Sequence, residues 1–316
     1  MSALVGGYAA DLLLGDPARL HPVAGFGKLA QRVERAVYAP SRVRGVAYAV
    51  GLVGMAALGG ELLARVVGRG AAMLGVLWAA LGGRSLVREA GRIATLRDAG
   101  NLPAARSALP ALAGRDPERL DADGVCRAVV ESVAENTSDA VVCALLWGAV
   151  AGPAGVAVYR AANTLDAMVG HRDERYASFG WAAARLDDAL SWPGARAGAA
   201  LAVACAPLVG GSPRAAWRVL RRDGAAHPSP NAGRMEASFA GALGRRLGGP
   251  LSYGGRVELR PELGDGPAPT TADVRRAVRL SLAVGGFAAV AAASVRGLRH
   301  RATAAVVTAG PRGLRR

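Results

Sequence analysis

The chain has 316 residues, 52% of them hydrophobic and only 5% aromatic, with a mean hydropathy of +0.23 and a formal net charge of +15. Lys28 is the one lysine, and the arginines are scattered over every polar segment with no interleaved aromatic stripe, which argues against nucleic acid as a partner. Abundant Ala and Gly with few aromatics suit helices that pack closely in a lipid bilayer, and the Val/Ile-rich strand runs of a soluble α/β enzyme are missing.

Residues 1–14 form a short apolar segment that Gly15-Asp16-Pro17 breaks, and His21-Pro22 continues the loop. With no basic n-region and with Asp11 and Asp16 early, no cleavable signal peptide is expected. A basic helical stretch, Gly27–Tyr38, follows. Gly45–Ala64 is long enough to span a bilayer and Gly68–Gly82 is marginal; together they predict a transmembrane helical hairpin. Residues 84–139 read as soluble, with arginines and acids alternating and turns at Asn101-Leu-Pro and Arg115-Asp-Pro-Glu between short amphipathic helices.

Val141–Val158 is apolar but broken at Gly152-Pro153, and Gly194–Gly211 is apolar apart from Arg196. Residues 214–276 form the largest polar segment, rich in Gly and Pro. Ala277–Val295 is the last apolar run, and 296–316 is a basic tail expected to be disordered. The pattern predicts a single domain over 1–316, an all-α, polytopic integral membrane protein with four to six membrane segments and helical polar loops. Cys126, Cys143 and Cys205 are odd in number and mostly in apolar surroundings, as befits buried reduced thiols.

The break at Gly152 has a topological consequence. If Val141–Val158 crossed the bilayer, Glu135-Asn-Thr-Ser-Asp139 and Asn163-Thr-Leu-Asp166 would lie on opposite faces. A re-entrant segment returns both to one face, and irregular backbone at membrane depth is tolerated where it lines a cavity. The re-entrant arrangement is the expected one.

Most of the chemistry lies between Glu131 and Asp188. Glu131, Glu135 and Asp139 are four apart, so a helix would stack them on one face as a carboxylate ladder. Such a ladder is either a solvated face answered by arginines or a holder of Mg²⁺ or an ammonium group. Asn163 and Asp166 share a helical face, as a cap or as ligands. Gly170-His171-Arg172-Asp173-Glu174-Arg175-Tyr176 offers two arginines that could fork onto phosphate or carboxylate oxygens, with Glu174 to orient one; charge at a membrane boundary also serves as an anchor. Asp187-Asp188 is a candidate metal or ammonium site. His21 could act as a base or a phosphate contact, although a lone His before Pro is more often structural. Further on, His227, Asn231, Glu236 and Tyr253 lie in a glycine-rich stretch that matches neither a Walker A nor a dinucleotide fingerprint.

Taken together, the stretches LLLGDP…HPV, ENTSDAVVCALLWG, YRAANTLDAMVGHRDERYASFGWAAARLDD, HPSPNAGRMEASFAGALGRRLGGPLSYGG and ELGDG, in this order between Asp11 and Gly266, resemble the CbiB/CobD family of cobalamin biosynthesis proteins. The resemblance implies a multi-pass protein of the cell membrane, an adenosylcobinamide-phosphate synthase. It would condense adenosylcobyric acid with (R)-1-amino-2-propanol or its O-phosphate, with ATP and Mg²⁺ as the implied energy source.

On that footing Glu135, Asp139, Asp166 and His21 are the expected catalytic groups, and Asp166, Asp187 and Asp188 the expected metal ligands. Asn136, Thr137, Asn163, Thr164, Arg172, Glu174, Arg175, Tyr176, His227, Asn231, Glu236 and Tyr253 are the expected substrate contacts, with Arg172 and Arg175 for phosphate and His227 and Asn231 over the corrinoid. The region 84–125 and the tail carry no family motif and would serve packing or contacts with other late corrinoid-pathway membrane enzymes. Two other classes compete. One is an intramembrane Mg²⁺-dependent prenyltransferase, whose paired NxxxD or DxxxD spacing is not matched here. The other is a transporter or non-catalytic membrane subunit, which would place its polar residues mid-helix.

Overall fold

The computed structural model describes residues 2–15, 21–113, 116–171, 173–253 and 256–308, with side chains described outside 251–258 and 300–308. Asp16 and Arg172 therefore lie outside the described residues, as does the Tyr253 side chain.

Helix α1 (Ala3–Leu14) starts on a Ser2 cap, and α2 (Pro22–Val37) starts on His21, whose Nδ1 accepts from Val23 N. Proline at the first helical position suits this start, because its missing N–H would be unpaired there anyway. Helix α2 packs on α3 (Arg42–Val67) and α8 (Cys143–Val169). Helices α3 and α4 (Arg69–Ala80) meet at Gly68 and pack on each other, as the predicted hairpin requires. Val43, Val50, Leu58, Leu62 and Val66 project outward along the whole of α3, a lipid-facing pattern. Helices α5 (Gly83–Asp98) and α6 (Leu102–Ala108) match the short amphipathic elements expected there.

Helix α7 (Ala122–Thr137) departs from the soluble pattern. Val125, Cys126 and every residue from Ala128 to Ala134 are buried, so α7 is a central strut and not a surface helix. It runs through one π-helical turn (Ser138–Val142) into α8. After the four-residue α9 (Tyr176–Phe179) comes α10 (Trp181–Cys205), which crosses α8 closely enough that a Cβ on Gly194 would collide with Cys143 Sγ. Helices α11 (Pro213–Asp223) and α12 (Ala232–Leu243) follow, the latter almost entirely buried. The stretch expected to be polar loop thus contributes to the core.

That segment also contains the one sheet among the described residues, an antiparallel pair of β1 (Leu247–Tyr253) and β2 (Arg256–Leu263). The register slips between Leu247 and Gly249, next to Pro261, which can donate no ladder hydrogen bond. The displaced Gly248 N instead donates to Glu131 Oε1 at 2.6 Å, pinning the hairpin to α7. Helix α13 (Thr271–Thr308) closes the fold and continues well into the tail expected to be disordered, where Ala302, Ala304, Ala305 and the preceding arginines all favour helix. Its Ser281 receives Thr137, and Tyr8 of α1 donates to its Leu282 carbonyl.

By length and composition, the described residues hold five helical segments able to cross a membrane, among them 122–169. The protein is a polytopic all-α membrane protein, within the expected four to six segments. All three cysteines are buried and free.

Candidate active site

The decisive local event is at Gly152, where φ is +73° and ψ is −157°, a conformation essentially reserved for glycine. In an unbroken helix Cys143 and Tyr159 would stand about 24 Å apart. Here both reach the same residue: Cys143 Sγ donates to Ser191 O at 3.8 Å, and the Tyr159 hydroxyl lies 3.3 Å from Ser191 Oγ. A Cβ on Gly148 would likewise touch Val156. The long helix is therefore two antiparallel arms, and Arg296 and Arg299 of α13 cap the carbonyls of Gly148 and Val150 just before the turn. The Glu135–Asp139 and Asn163–Asp166 motifs end on the same face, as the re-entrant arrangement requires.

At the open end of this hairpin an acid cluster assembles. Asp139 lies in the electrostatic field of Asp187, Glu135, Arg160 and Asp166. Asp187 is buried and accepts hydrogen bonds from Asn163 Nδ2 at 3.3 Å and Ser191 Oγ at 3.4 Å; Asp166 and Asp188 are its charged neighbours. Arg160 NH1 donates to Asn163 Oδ1 at 3.0 Å and acts on Asp139 through its charge. From the other side, Asn231 donates to the Asp188 carbonyl at 2.9 Å and accepts from Arg196 at 3.1 Å. The predicted Asp139, Asn163, Asp166, Asp187, Asp188 and Asn231 are thus brought together, with Glu135 exposed at the edge.

Other expected residues stand apart. Glu131 leaves the carboxylate ladder to hold Gly248. Thr137 is fully buried and bonded to Val133 and Ser281, which turns it away from the cluster. Asn136 is tied to Ser132, and Thr164 bonds back to the Arg160 carbonyl. His21 serves as a helix cap. His227 forms a second buried group with Arg260, 2.6 Å from its Nε2, and Glu236 at 3.8 Å.

Arg175 is engaged elsewhere than on a phosphate. It pairs with buried Glu34 at 3.0 Å and packs over the Tyr38 ring at 4.3 Å, while Tyr176 donates to the same Glu34 oxygen at 2.9 Å. Hydrogen bonding to Glu34 pushes the Arg175 pKa up; burial, and then Glu34, push the Tyr176 phenol up. Glu174 is exposed. Glu34→Gln should loosen this clasp only modestly, since Arg175 is half exposed and water screens the pair. The check is limited proteolysis of the 170–180 loop, which should run about fivefold faster. Unchanged cleavage would show that Glu34 does not hold the loop.

Sequence reasoning missed Glu34, Tyr159, Arg160, Ser191, Arg196 and Arg260. Arg160 alone had a local signal, standing three residues before Asn163 on the same helical face.

No group of three or more His, Cys, Asp or Glu side chains among the described residues is placed to hold a metal ion alone. A magnesium ion needs fewer, taking one or two carboxylates and completing its shell with water and substrate phosphate. The expected Asp166, Asp187 and Asp188 therefore do not make a three-carboxylate site, although Asp166 and Asp188 are charged neighbours of Asp187 and carboxylates are the donors that magnesium takes.

A family model described as CobD/Cbib protein matches residues 4–281. The chain is 53% identical over 289 residues to "Cobalamin biosynthesis protein CobD" of Mycobacterium tuberculosis H37Rv, covering 90% of this chain and 92% of the relative. Proteins of the same name from Geobacter metallireducens and Chromobacterium violaceum are 44% and 42% identical, each match covering 85% of this chain and 88% of the relative. No solved structure matches.

Proposed function

The chain belongs to the CobD/Cbib family of cobalamin biosynthesis proteins, and we propose that it forms the amide between adenosylcobyric acid and (R)-1-amino-2-propanol or its O-phosphate in the cell membrane. The observation that supports this most is the acid cluster, with Asp139, Asp166 and Asp187 on three different stretches of chain, Arg160 acting on Asp139, and Arg196 joined to the Asp188 backbone through Asn231. An aminoalcohol phosphate carries a cation at one end and an anion at the other. Carboxylates attract the ammonium, while the arginines take the phosphate oxygens. With Arg175 held by Glu34, Arg160 and Arg196 are the better placed cations.

For the amide to form, the ammonium must lose a proton before its nitrogen attacks the acyl carbon. Asp139 is the base for that proton. The C–N bond then forms as inorganic phosphate leaves an acyl phosphate, whose phosphoryl group came from ATP with release of ADP. ATP is the activating co-substrate that the family resemblance suggests. Mg²⁺ on Asp166 and Asp187 would offset the charge of the transferred phosphoryl group. Asn231, in contact with Asp188, and the His227 group are assigned to the corrinoid.

Complementation tests the reading. In a strain lacking the synthase, the chain should restore growth on cobyric acid. Rescue confined to supplied cobinamide would overturn the assignment.

A further inference from the structure

A cavity of about 270 Å³ lies between α2, α3, α4 and the second arm of α8. That is close to the lower bound of about 300 Å³ for small-molecule sites and far too small for a corrin ring. Its lining is almost wholly apolar, with Phe26, Leu63 and several small residues. Gly59 of α3 and Gly75 of α4 line it, and both are exposed on helical segments long and apolar enough to cross a membrane. The cavity is therefore open to the bilayer sideways, between two membrane-length segments.

One end is different. Thr164 and Arg160 line it, and so does Pro22 at the N-terminal, positive end of the sixteen-residue α2. The Arg160 guanidinium leans one turn toward Asn163, which leaves its Nε buried with no hydrogen-bond partner among the described residues. A charge at membrane depth is costly unless something answers it. Arg160 has Asp139 in its field behind the wall, while on the cavity side it faces apolar surface and a helix dipole of its own sign. An anionic group would complement this end.

We propose that the cavity holds one acyl chain of an anionic phospholipid from the surrounding bilayer, its phosphate against Arg160, Thr164 and the start of α2. The tail runs between α3 and α4 past Gly59 and Gly75. Because Arg160 also holds Asn163, the bound lipid touches the same side chain that faces the acid cluster. Arg160 thus borders both the cavity and the proposed reaction site, and labelling read in the absence of substrate tests the lipid site whether or not that reaction is right.

The experiment uses the full-length protein in phosphatidylcholine vesicles, with trace phosphatidylglycerol carrying a photoreactive diazirine in its chain. Matching phosphatidylcholine and palmitate probes serve as comparators. Peptides of α3 and α4 should be labelled about tenfold more by the phosphatidylglycerol probe than by the phosphatidylcholine probe, the worth of one charge-assisted hydrogen bond. Gly59→Leu and Gly75→Leu should reduce that labelling to the general lipid background. A Cβ at either position meets nothing within 4 Å, and the thermal midpoint of each variant in detergent checks that the fold is kept. Arg160→Gln should keep acyl labelling and lose the preference for the anionic probe. Equal labelling by both phospholipids, labelling by palmitate alone, or labelling unchanged in both glycine variants would each overturn the proposal.

Discussion

Asp187→Asn should lower amide formation by a factor of about a hundred or more, the scale of a lost charged group in acid–base or electrostatic catalysis. The amount of folded protein should stay the same. Asparagine has nearly the same shape and can still accept from Asn163 and Ser191, so the substitution removes charge and little else. Ser191→Ala is the control for positioning. It deletes one hydrogen bond to Asp187 and the contact with Tyr159, and should cost about tenfold. The measurement is adenosylcobinamide formation by membranes supplied with both substrates and ATP, alongside a gel-filtration profile of each variant. Wild-type turnover in Asp187→Asn would take Asp187 out of the active site.

Gly152→Val should be the most damaging single change to the fold. The cost is conformational. Space exists for a side chain, since the nearest atoms to an added Cβ are Arg69 and Arg296 guanidinium nitrogens at 3.6 Å and beyond. The backbone angles, however, exclude a β-branched residue, at about 1–3 kcal/mol or more. Relief requires the arms to open, which separates Asp139 from Asn163 and Asp166. The thermal midpoint in detergent should fall by about 5 °C or more, and product formation should fall with it. Pro153→Ala leaves the Gly152 angles available and should do little by comparison. A Gly152→Val protein with the midpoint and activity of the wild type would mean that the two motifs do not need this turn.

Much of this was legible in the sequence, and the missing parts share a cause. The membrane segments, the turn at Gly152 and the polar motifs depend on local composition and spacing, which a sequence displays directly. Spacing put Asn163 and Asp166 on one face and flagged Asp187-Asp188. What escaped were partners set by packing. Glu34 meets Arg175 across 141 positions, and no periodicity marks such a pair. Glu131 left the expected carboxylate ladder because tertiary structure gave it a different partner, the amide of Gly248, while Glu135 and Asp139 stayed neighbours. That amide is available to it because the strand register slips beside Pro261. In the same way β1 and β2 were hidden among glycines and prolines, which usually mark loops and here accommodate a bulge. Helix α7 was misjudged because its polar ends outweighed a buried middle.

The clasp between the first and last helices bears on how the protein is made. Tyr8 waits for Leu282, a partner 274 positions later, and the carbonyls of Gly148 and Val150 wait for Arg296 and Arg299. A ribosome must therefore extend the chain through most of α13 before these groups are satisfied, and until then the reversed helix is held without its closing strap. Contacts of such separation form late, since the long loop between them has to close first. Premature termination between Asn231 and the start of α13 would leave an acid cluster complete in composition yet without the support that shapes it.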